Sequence, residues 1–422
     1  MCFPRFGSMV SIVENIVLNI PDRLLRYLRK IGSVADQSSV TAYTVGGFVR
    51  DLILSDGDQL KSKALDLDIV IENHAIDIAQ KVADDFTASI DVHKQFGTAK
   101  IITTENFRID FVTARRETYQ TSGALPSVVF SSIKEDLHRR DFSINAIAMS
   151  ILPTDFGNLL DYTGGLIDLK NASIRVLHDQ SYRDDPTRIF RAIRYEQRYN
   201  FQICQTDQSL IQDAIDQNCL GNISGQRIRN EFNRIFSEEF AQKSFQRMED
   251  FVLFSAIVPC WELPQDFNWI WENTIQAVDW SKKHLPDDKI DQNAMLWMAL
   301  LNQKTTETVS HRLAFEKRLQ EKLNAKNRLI INQEKLSHSS KPSQIYHLLN
   351  SYPLETLIFS LWNHKHSWQK EQIKDYLLRL RHVRPKVAGN DLIQQGHTPG
   401  PEMSETLWNS FARQLDESKT NR

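Results

Sequence analysis

The sequence has too few cysteines, too little net charge and too short apolar runs for several classes of protein. Its four cysteines, Cys2, Cys204, Cys219 and Cys260, show neither metal-ligand nor disulfide spacing, which is typical of a reducing compartment. No apolar stretch approaches the roughly 20 residues that a membrane helix needs. The N-terminal segment carries Glu14 and lacks the apolar core of a signal peptide. We therefore expect a cytoplasmic protein with no membrane partner.

Basic residues are concentrated in one segment, although the net charge of the 422-residue chain is only −2. Between residues 311 and 343 eight lysines and arginines stand against three glutamates. Such a run is either the solvated face of a helix or a surface that follows a phosphate backbone.

Patterning predicts an α+β protein, with a small mixed α/β region at residues 1–150 and helices after about residue 180. Apolar strand patterns alternate with helical ones before residue 150, where TAKIITT (98–104) and FRIDFVTA (107–114) are predicted to pair as strands. PDRLLRYLRKIG (21–32) predicts a short helix that ends at Gly32. Segments 187–199, 226–240 and 244–257 have helical periodicity, and residues 270–385 are helical almost throughout.

Two aspartates one residue apart, Asp66 and Asp68, lie in the apolar run LDLDIVIE (65–72). Side chains alternate along a strand, so both carboxylates point to the same face and repel each other. A divalent cation removes this cost, and Mg²⁺ suits such an oxygen-rich site. The pair alone also fits an exposed edge strand with two solvated acids.

A glycine turn and a third aspartate accompany this pair. Gly46 and Gly47 follow a strand and precede a helix that begins near Arg50, so backbone N–H groups and an arginine could approach a phosphate. No G-K-[ST] follows, which excludes a Walker A loop.

Asp110, in FRIDFV, points away from the core. If its strand lies beside residues 65–72, three carboxylates converge, as two-metal nucleotidyl transfer requires. Alone, Asp110 also fits an exposed strand position.

Two arginine-rich segments follow. In DLHRRDFSINA (136–146), Arg140 could contact a sugar hydroxyl or a phosphate, with Asp141 and Asn145 holding the arginine. Taken alone, the segment fits a plain helix start better. In RDDPTRIFRAIR (183–194), Asp185 and Arg188 could present an acceptor and a donor to a base edge, and an arginine stripe continues the helix. A salt-bridged helix start is the alternative. The stripe consists of Arg188, Arg191 and Arg194.

In this order, the motifs resemble class II tRNA nucleotidyltransferases and bacterial poly(A) polymerases, within the polymerase-β-like superfamily. The matching segments are GGFVRD, LDLDIV, FRIDFVTARRETY, DLHRRDFSINAIAM, DYTGGLIDL and DDPTRIFRAIRY, with VAGNDLIQQGHTPGP near the C-terminus. The resemblance implies a nucleotidyltransferase head (1–150), a neck that recognises the base (151–260), and a helical body and tail that bind tRNA (261–422). Neck, body and tail would be elongated and all-helical.

The resemblance also implies roles for individual residues. Asp66 and Asp68 match the metal ligands, which hold Mg²⁺, and Asp110 matches the third catalytic carboxylate. Residues 115–135 match a flexible loop linked to the switch from C to A addition. The nucleotide-binding positions would be Gly46, Gly47, Arg50, Arg140, Asp141, Asn145, Asp185, Arg188, Arg191 and Arg194.

The implied activity is template-independent addition of CMP, AMP or both from CTP and ATP to the 3′ end of tRNA. CC-only addition, A-only addition and poly(A) synthesis remain open, because the polar insertion at 55–63 and the 115–135 loop bear on the product. A non-catalytic RNA-binding protein is a further alternative, which the three intact aspartates disfavour.

Overall fold

The computed structural model describes residues 16–55, 67–118, 123, 126–332, 335–363 and 366–418. The chain divides into two compact units, Met1–Ile223 and Ser224–Arg422. The described strands all lie in the first unit, and the described part of the second unit is helical. This confirms the predicted fold class, a mixed α/β region followed by helices. Among the residues described, no helix is both long and apolar enough to cross a bilayer.

A seven-stranded sheet forms the centre of the first unit, in the order β3-β4-β5-β2-β1-β8-β9. Strands β2 and β5 pair in parallel, and the other neighbours in this sheet are antiparallel. The antiparallel β4–β5 pair confirms the predicted pairing of residues 98–104 with 107–114. The seven strands are β1 (Ala42–Val45), β2 (Leu67–Ile71), β3 (Ser89–His93), β4 (Thr98–Ile102), β5 (Arg108–Thr113), β8 (Ile147–Ser150) and β9 (Leu159–Asp161).

Two smaller pairings complete the strands of the first unit. Strands β6 (Arg115–Thr118) and β7 (Ser127–Phe130) form an antiparallel hairpin within the segment predicted to be a flexible loop. Residues 119–122 and 124–125, between these strands, lie outside the described residues. Strands β10 (Ser173–Ile174) and β11 (Gln202–Ile203) pair in parallel.

Helices cover the sheet and carry the remaining motifs of the first unit. They are α1 (Asp22–Gln37), α2 (Gly47–Leu54), α3 (Ala75–Phe86), α4 (Ile133–His138), α5 (Gly165–Lys170), α6 (Ser181–Asp184), α7 (Thr187–Tyr199) and α8 (Gln205–Asp216), with a short 3₁₀ helix at Ser143–Asn145. The prediction that Gly32 ends the first helix is wrong, because α1 continues to Gln37. A Cβ atom at Gly32 would lie 1.7 Å from the carbonyl oxygen of Ile151, so this glycine permits close packing instead.

The two faces of β2 have different surroundings. Leu67, Ile69 and Ile71 are fully buried on one face. Asp68 shares the opposite face with Val70, because side chains alternate along a strand. Val70 belongs to an apolar cluster with Ile133 of α4. The core thus holds β2 on both sides and leaves Asp68 half-buried near the end of the strand.

The second unit has an aromatic centre and a larger aliphatic cluster. Phe232 stacks on Trp297 with 5.0 Å between ring centroids and on Trp261 at 5.7 Å, and all three rings are fully buried. Leu329, Leu357 and further residues form the second cluster. The helices of this unit are α9 (Gly225–Phe236), α10 (Ala241–Asp250), α11 (Leu253–Ile257), α12 (Phe267–His284), α13 (Gln292–Leu300), α14 (Thr306–Arg312), α15 (Lys317–Asn332), α16 (Pro342–Leu349), α17 (Leu354–Asn363), α18 (Ser367–Leu378), α19 (Gly389–Gln394) and α20 (Pro401–Glu417).

Candidate active site

The parallel pairing of β2 with β5 brings two of the three predicted carboxylates together. Asp68 is the direct register partner of Asp110, so the two side chains stand abreast on one face of the sheet. The side chain of Asp110 is 21% exposed, and its two oxygens accept hydrogen bonds from Arg108 Nε at 3.1 Å and Nη2 at 2.5 Å. Asp66 lies outside the described residues.

This carboxylate pair fits a cation. Adjacent carboxylates on one face repel each other unless positive charge lies between or beside them, and Arg108 already supplies a cation to Asp110. The described residues contain no cluster of three or more His, Cys, Asp or Glu side chains able to hold a metal ion. Oxygen ligands of this kind suit a hard divalent cation.

The glycine turn lies beside the same carboxylates. Gly46 has φ +74° and ψ −136°, a conformation open to glycine and strained for other residues, and helix α2 begins at Gly47. A Cβ atom on Gly46 would lie 3.1 Å from Arg140 Nη1 and 3.6 Å from Asp68 Oδ2. The turn, Asp68 and Arg140 are therefore within a few ångströms of one another.

Arg140 is held by Asp136, a residue to which sequence reasoning gave no role. Asp136 is fully buried and accepts hydrogen bonds from Arg140 Nη2 at 3.0 Å and Arg139 Nε at 2.8 Å. Burial alone would raise the pKa of Asp136, but Arg140 and Arg139 outweigh burial and lower the pKa. Its spacing of three and four residues from the two arginines is the sequence signal that could have identified it.

The expectation that Asp141 and Asn145 hold Arg140 is therefore wrong. Asp141 instead forms an ion pair with Arg191 of α7, and Asn145 Nδ2 donates to Asp141 Oδ1 at 3.0 Å. Burial would raise the pKa of Asp141, but Arg191 and Asn145 lower it to about 2. The difference arises because Asp141 lies beyond the end of α4 and points toward α7.

The same network continues to Arg50. Its Nη1 donates to Asn145 Oδ1 at 2.5 Å, and its Nε donates to Asp51 Oδ1 at 2.9 Å. The guanidinium is also 4.6 Å from the ring centroid of Tyr199, whose hydroxyl donates to Asp51 at 2.9 Å. Arg50 is only 3% exposed. A direct phosphate contact by Arg50, as predicted, would require some of these bonds to open.

Asp185 and Arg188 are each held in a defined orientation. Asp185 Oδ1 accepts from Thr187 N at 3.1 Å and from Thr187 Oγ1 at 2.6 Å. Arg188 is 5% exposed; its Nη1 donates to Ser181 Oγ and its Nη2 donates to the carbonyl oxygen of Arg139 at 3.1 Å. Thr187 and Ser181 had no predicted role, and no sequence pattern singles out the serine.

The predicted arginine stripe on α7 is largely buried. Arg188 and Arg194 are 5% and 9% exposed, whereas the side chain of Arg191 is 31% exposed. The Arg194 guanidinium lies 5.1 Å from the ring centroid of Tyr195. Packing in the first unit thus constrains the arginines more than a solvated helix face would.

The basic run at 311–343 contributes less surface charge than its sequence suggests. Lys322 is buried and donates to Asp291 at 3.0 Å and Glu355 at 2.9 Å. Lys326 is buried and donates to the carbonyl oxygens of Met298 and Leu301, so it caps the end of α13, and burial lowers its pKa to about 8. Both lysines stabilise the second unit through these buried hydrogen bonds.

Two family models match the chain. The poly(A) polymerase head domain covers residues 42–175, which include Gly46, Asp68, Asp110 and Arg140. A domain described as the probable RNA and SrmB-binding site of polymerase A covers residues 200–263.

Relatives with assigned names resemble the chain over most of its length. An A-adding tRNA nucleotidyltransferase of Geobacter sulfurreducens is 31% identical over 407 residues, which are 94% of this chain and 46% of that protein. An A-adding tRNA nucleotidyltransferase of Halalkalibacterium halodurans is 31% identical over 398 residues, 91% of this chain and 86% of that protein. The chain thus spans about half the length of the first relative and most of the second.

A solved structure has the same fold over nearly the whole chain. The Thermotoga maritima CCA-adding enzyme complexed with tRNA is similar with a TM-score of 0.75 and 30% identity, covering 99% of this chain and 96% of that one. Sequence, head domain and fold agree, and the chain belongs to the tRNA nucleotidyltransferase and poly(A) polymerase family.

Proposed function

We propose that this protein adds CMP, AMP or both to the 3′ end of tRNA without a nucleic-acid template. The observation that carries the proposal is the register of β2 against β5, which sets Asp68 beside Asp110 next to the Gly46 turn. Carboxylates beside a phosphate-binding turn suit in-line transfer of a nucleotidyl group from a triphosphate to a hydroxyl.

Asp66 and Asp68 would hold Mg²⁺, with Asp110 as the third carboxylate. Bound divalent ions would favour deprotonation of the attacking 3′ hydroxyl and neutralise charge on the triphosphate and the departing pyrophosphate. These carboxylates of the chain would hold such cations. The half-buried setting of Asp68 and Asp110 supports this role, because both can reach solvent and substrate.

The glycine turn and Arg140 would bind the rest of the nucleotide. Gly46 and Gly47 present backbone without side chains at the start of α2, where free N–H groups favour an anion. Arg140 would contact the ribose or a phosphate. Its Nε is buried and has no hydrogen-bond partner among the described residues, while Asp136 holds Nη2.

Asp185 and Arg188 would choose the base. A carboxylate accepts hydrogen bonds and a guanidinium donates them, so together they can distinguish the hydrogen-bonding edges of C and A from those of other bases. The bonds from Thr187 to Asp185, and from Arg188 to Ser181, support this assignment because recognition requires fixed directions. Arg50, Asp141, Asn145, Arg191 and Arg194 would support the nucleotide site through their shared network.

We further propose a division of labour among head (1–150), neck (151–260) and body with tail (261–422), in the cytoplasm. The match of the two family models to 42–175 and 200–263 supports the first two parts. The tRNA bound to the Thermotoga relative supports tRNA binding, which we assign to the third part. Shape and backbone charge would dominate that recognition. The exposed basic residues of the run are Lys317, Arg318, Arg328, Lys335 and Lys341.

Two products have specific support. The names of the Geobacter and Halalkalibacterium relatives favour addition of the terminal A, whereas the Thermotoga relative favours addition of the whole CCA. The test supplies three tRNAs, which lack CCA, CA or only the final A, each with CTP, ATP or both. Extension of only the third tRNA, with ATP, would establish A addition. Extension of all three would establish CCA addition, and extension by C that stops before A would establish CC addition.

Substitutions in the carboxylate pair test the site itself. We expect Asp68→Asn and Asp110→Asn each to lower incorporation by at least about 100-fold, as loss of a charge-stabilising group in an active site commonly does. Asp91→Asn is the matched control, because Asp91 is a strand aspartate with a 68% exposed side chain. Unchanged incorporation in the first two variants would refute the proposed site. Addition of A alone to many unrelated RNAs would identify a poly(A) polymerase, and tRNA binding without incorporation would indicate a non-catalytic protein.

A further inference from the structure

The hydroxyl of Ser181 has a specific partner in the proposed base-recognition site. Ser181 is the first residue of α6 and is fully buried. The N-cap of this short helix is Gln180, and no side-chain capping hydrogen bond is formed there. The Ser181 hydroxyl therefore does not act as a helix cap; its oxygen accepts a hydrogen bond from Arg188 Nη1.

The helix that carries Ser181 is itself anchored. The hydroxyl of Tyr182 donates to Asp207 Oδ2 at 2.9 Å, and the backbone N–H of Val176 donates to the same oxygen at 2.8 Å. Tyr182 and Asp207 are 1% and 2% exposed. A buried aromatic side chain bonded to a buried carboxylate cannot move without losing both packing and a hydrogen bond. Ser181 therefore presents its oxygen to Arg188 from a fixed position.

Two acceptors together orient the Arg188 guanidinium. The Ser181 hydroxyl binds Nη1 and the carbonyl oxygen of Arg139 binds Nη2 at 3.1 Å. A planar group held at two of its nitrogens cannot rotate about its own axis. A guanidinium has five N–H groups, and these two bonds use two of them. Arg188 forms no further hydrogen bond within the described part of the chain, so three N–H groups keep defined directions for a ligand.

We propose that Ser181 is a positioning residue that determines nucleotide specificity through Arg188. The proposal rests on the proposed function, since it assigns the source of selectivity in that same site. Without the serine oxygen, Arg188 would keep one of its two acceptors and could tilt. A tilted donor fits the correct base less well and tolerates a wrong one, so discrimination falls more than the overall rate.

The test measures the ratio of kcat/KM for the nucleotide that the wild type incorporates to kcat/KM for UTP and GTP, on the same tRNA. In Ser181→Ala we expect this ratio to fall about tenfold, which corresponds to roughly 1.4 kcal/mol. Ser150→Ala is the matched control, because Ser150 is equally buried and its hydroxyl also bonds a charged side chain, Asp155, at 2.6 Å. The control should keep the wild-type ratio.

A double-mutant cycle separates positioning from a general structural role. If Ser181 acts through Arg188, then adding Ser181→Ala to Arg188→Ala should leave the ratio of the single Arg188→Ala variant unchanged. A wild-type ratio in folded Ser181→Ala, or a further fall of similar size in the double variant, would overturn the inference. Should Ser181→Ala fail to fold, Ser181→Cys takes its place, because a thiol fills similar space and is a weak acceptor.

The same measurements distinguish this inference from the proposed function. A wild-type protein that incorporates no nucleotide into tRNA would refute the proposed function. If wild type, Ser150→Ala and Ser181→Ala all incorporate nucleotides with the same selectivity, only the proposed role of Ser181 is refuted.

Discussion

Replacing Asp136 by asparagine should damage both stability and nucleotide binding. Asparagine keeps the shape of the side chain and removes its charge. Arg139 and Arg140 would then lose the buried carboxylate that they share, although Arg139 would keep its bond to Glu117 at 2.9 Å. No other carboxylate among the described residues forms an ion pair with Arg140.

The expected size follows from the burial of the three side chains. Removing one partner of a buried ion pair costs roughly 3–5 kcal/mol. Asp136 is 0% exposed, but both arginine side chains are 16% exposed, so we expect the lower end of this range. For a unit of this size, about 3 kcal/mol would lower the Tm by roughly 6–12 °C. Incorporation well below the Tm should fall by at least about tenfold, because Arg140 would no longer be held beside Gly46.

Thermal unfolding and steady-state incorporation measure these two effects on the same preparation. Asp375→Asn is a matched control: Asp375 pairs with Arg379 four residues later, as Asp136 does with Arg140, but its side chain is 28% exposed. Such a pair contributes only about 0.3–0.5 kcal/mol. If Asp136→Asn unfolds within 2 °C of the control, by the size scaling equivalent to less than roughly 1 kcal/mol, the assignment of Asp136 as the anchor of Arg140 is refuted.

Three further predictions test separate features of the site. Gly46→Ala and Gly396→Ala both introduce a side chain at positive φ, so each should lower the free energy of unfolding by roughly 1–3 kcal/mol in chemical denaturation. Only Gly46→Ala should abolish incorporation, because nothing lies within 4 Å of a Cβ atom at Gly396. Asp141→Asn should cost about 2 kcal/mol at neutral pH. The pKa of Asp141 is about 2 in the folded protein, and the pKa of an unfolded aspartate is about 4. The free energies of unfolding of wild type and variant, measured in urea, should therefore converge as the pH falls through this window. A constant difference between them would contradict the lowered pKa. Arg108→Gln removes the ion pair to Asp110 and should lower the Mg²⁺ concentration for half-maximal incorporation about threefold, equivalent to roughly 0.6 kcal/mol. An unchanged or higher Mg²⁺ requirement would count against competition between Arg108 and the metal.

Helical periodicity predicted which segments are helical more accurately than it predicted where the helices end. The helix over residues 187–199 begins and ends where periodicity placed it. The segment predicted at 226–240 ends earlier, at Phe236, and the segment predicted at 244–257 is divided between α10 and α11. Helix α1 was predicted to be too short, because Gly32 does not end it. This glycine instead permits close packing against the carbonyl oxygen of Ile151. Local propensity contains no information about such a distant neighbour.

In the candidate site, too, local patterns predicted some features and the folded structure decided the others. Period-two alternation placed Asp66 and Asp68 on one face of a strand, and the glycine pair marked the turn before α2. Whether Asp110 lay beside Asp68 depended on which strands were neighbours, and only the β2–β5 register decided it. Strand order is set by packing over the whole sheet, which a pattern within one strand does not encode.

The partners of the arginines were likewise decided by tertiary structure alone. Sequence reasoning assigned Asp141 to Arg140 and gave Asp136 no role, but in the fold Asp136 binds Arg140 and Asp141 pairs with Arg191. Residue types and order along the chain predicted the chemistry: carboxylates for cations, glycines for phosphate and arginines for the nucleotide. Packing determined the geometry, including the position of the serine that orients Arg188. A buried charged group is stable only with a partner, and only the folded chain brings possible partners within reach.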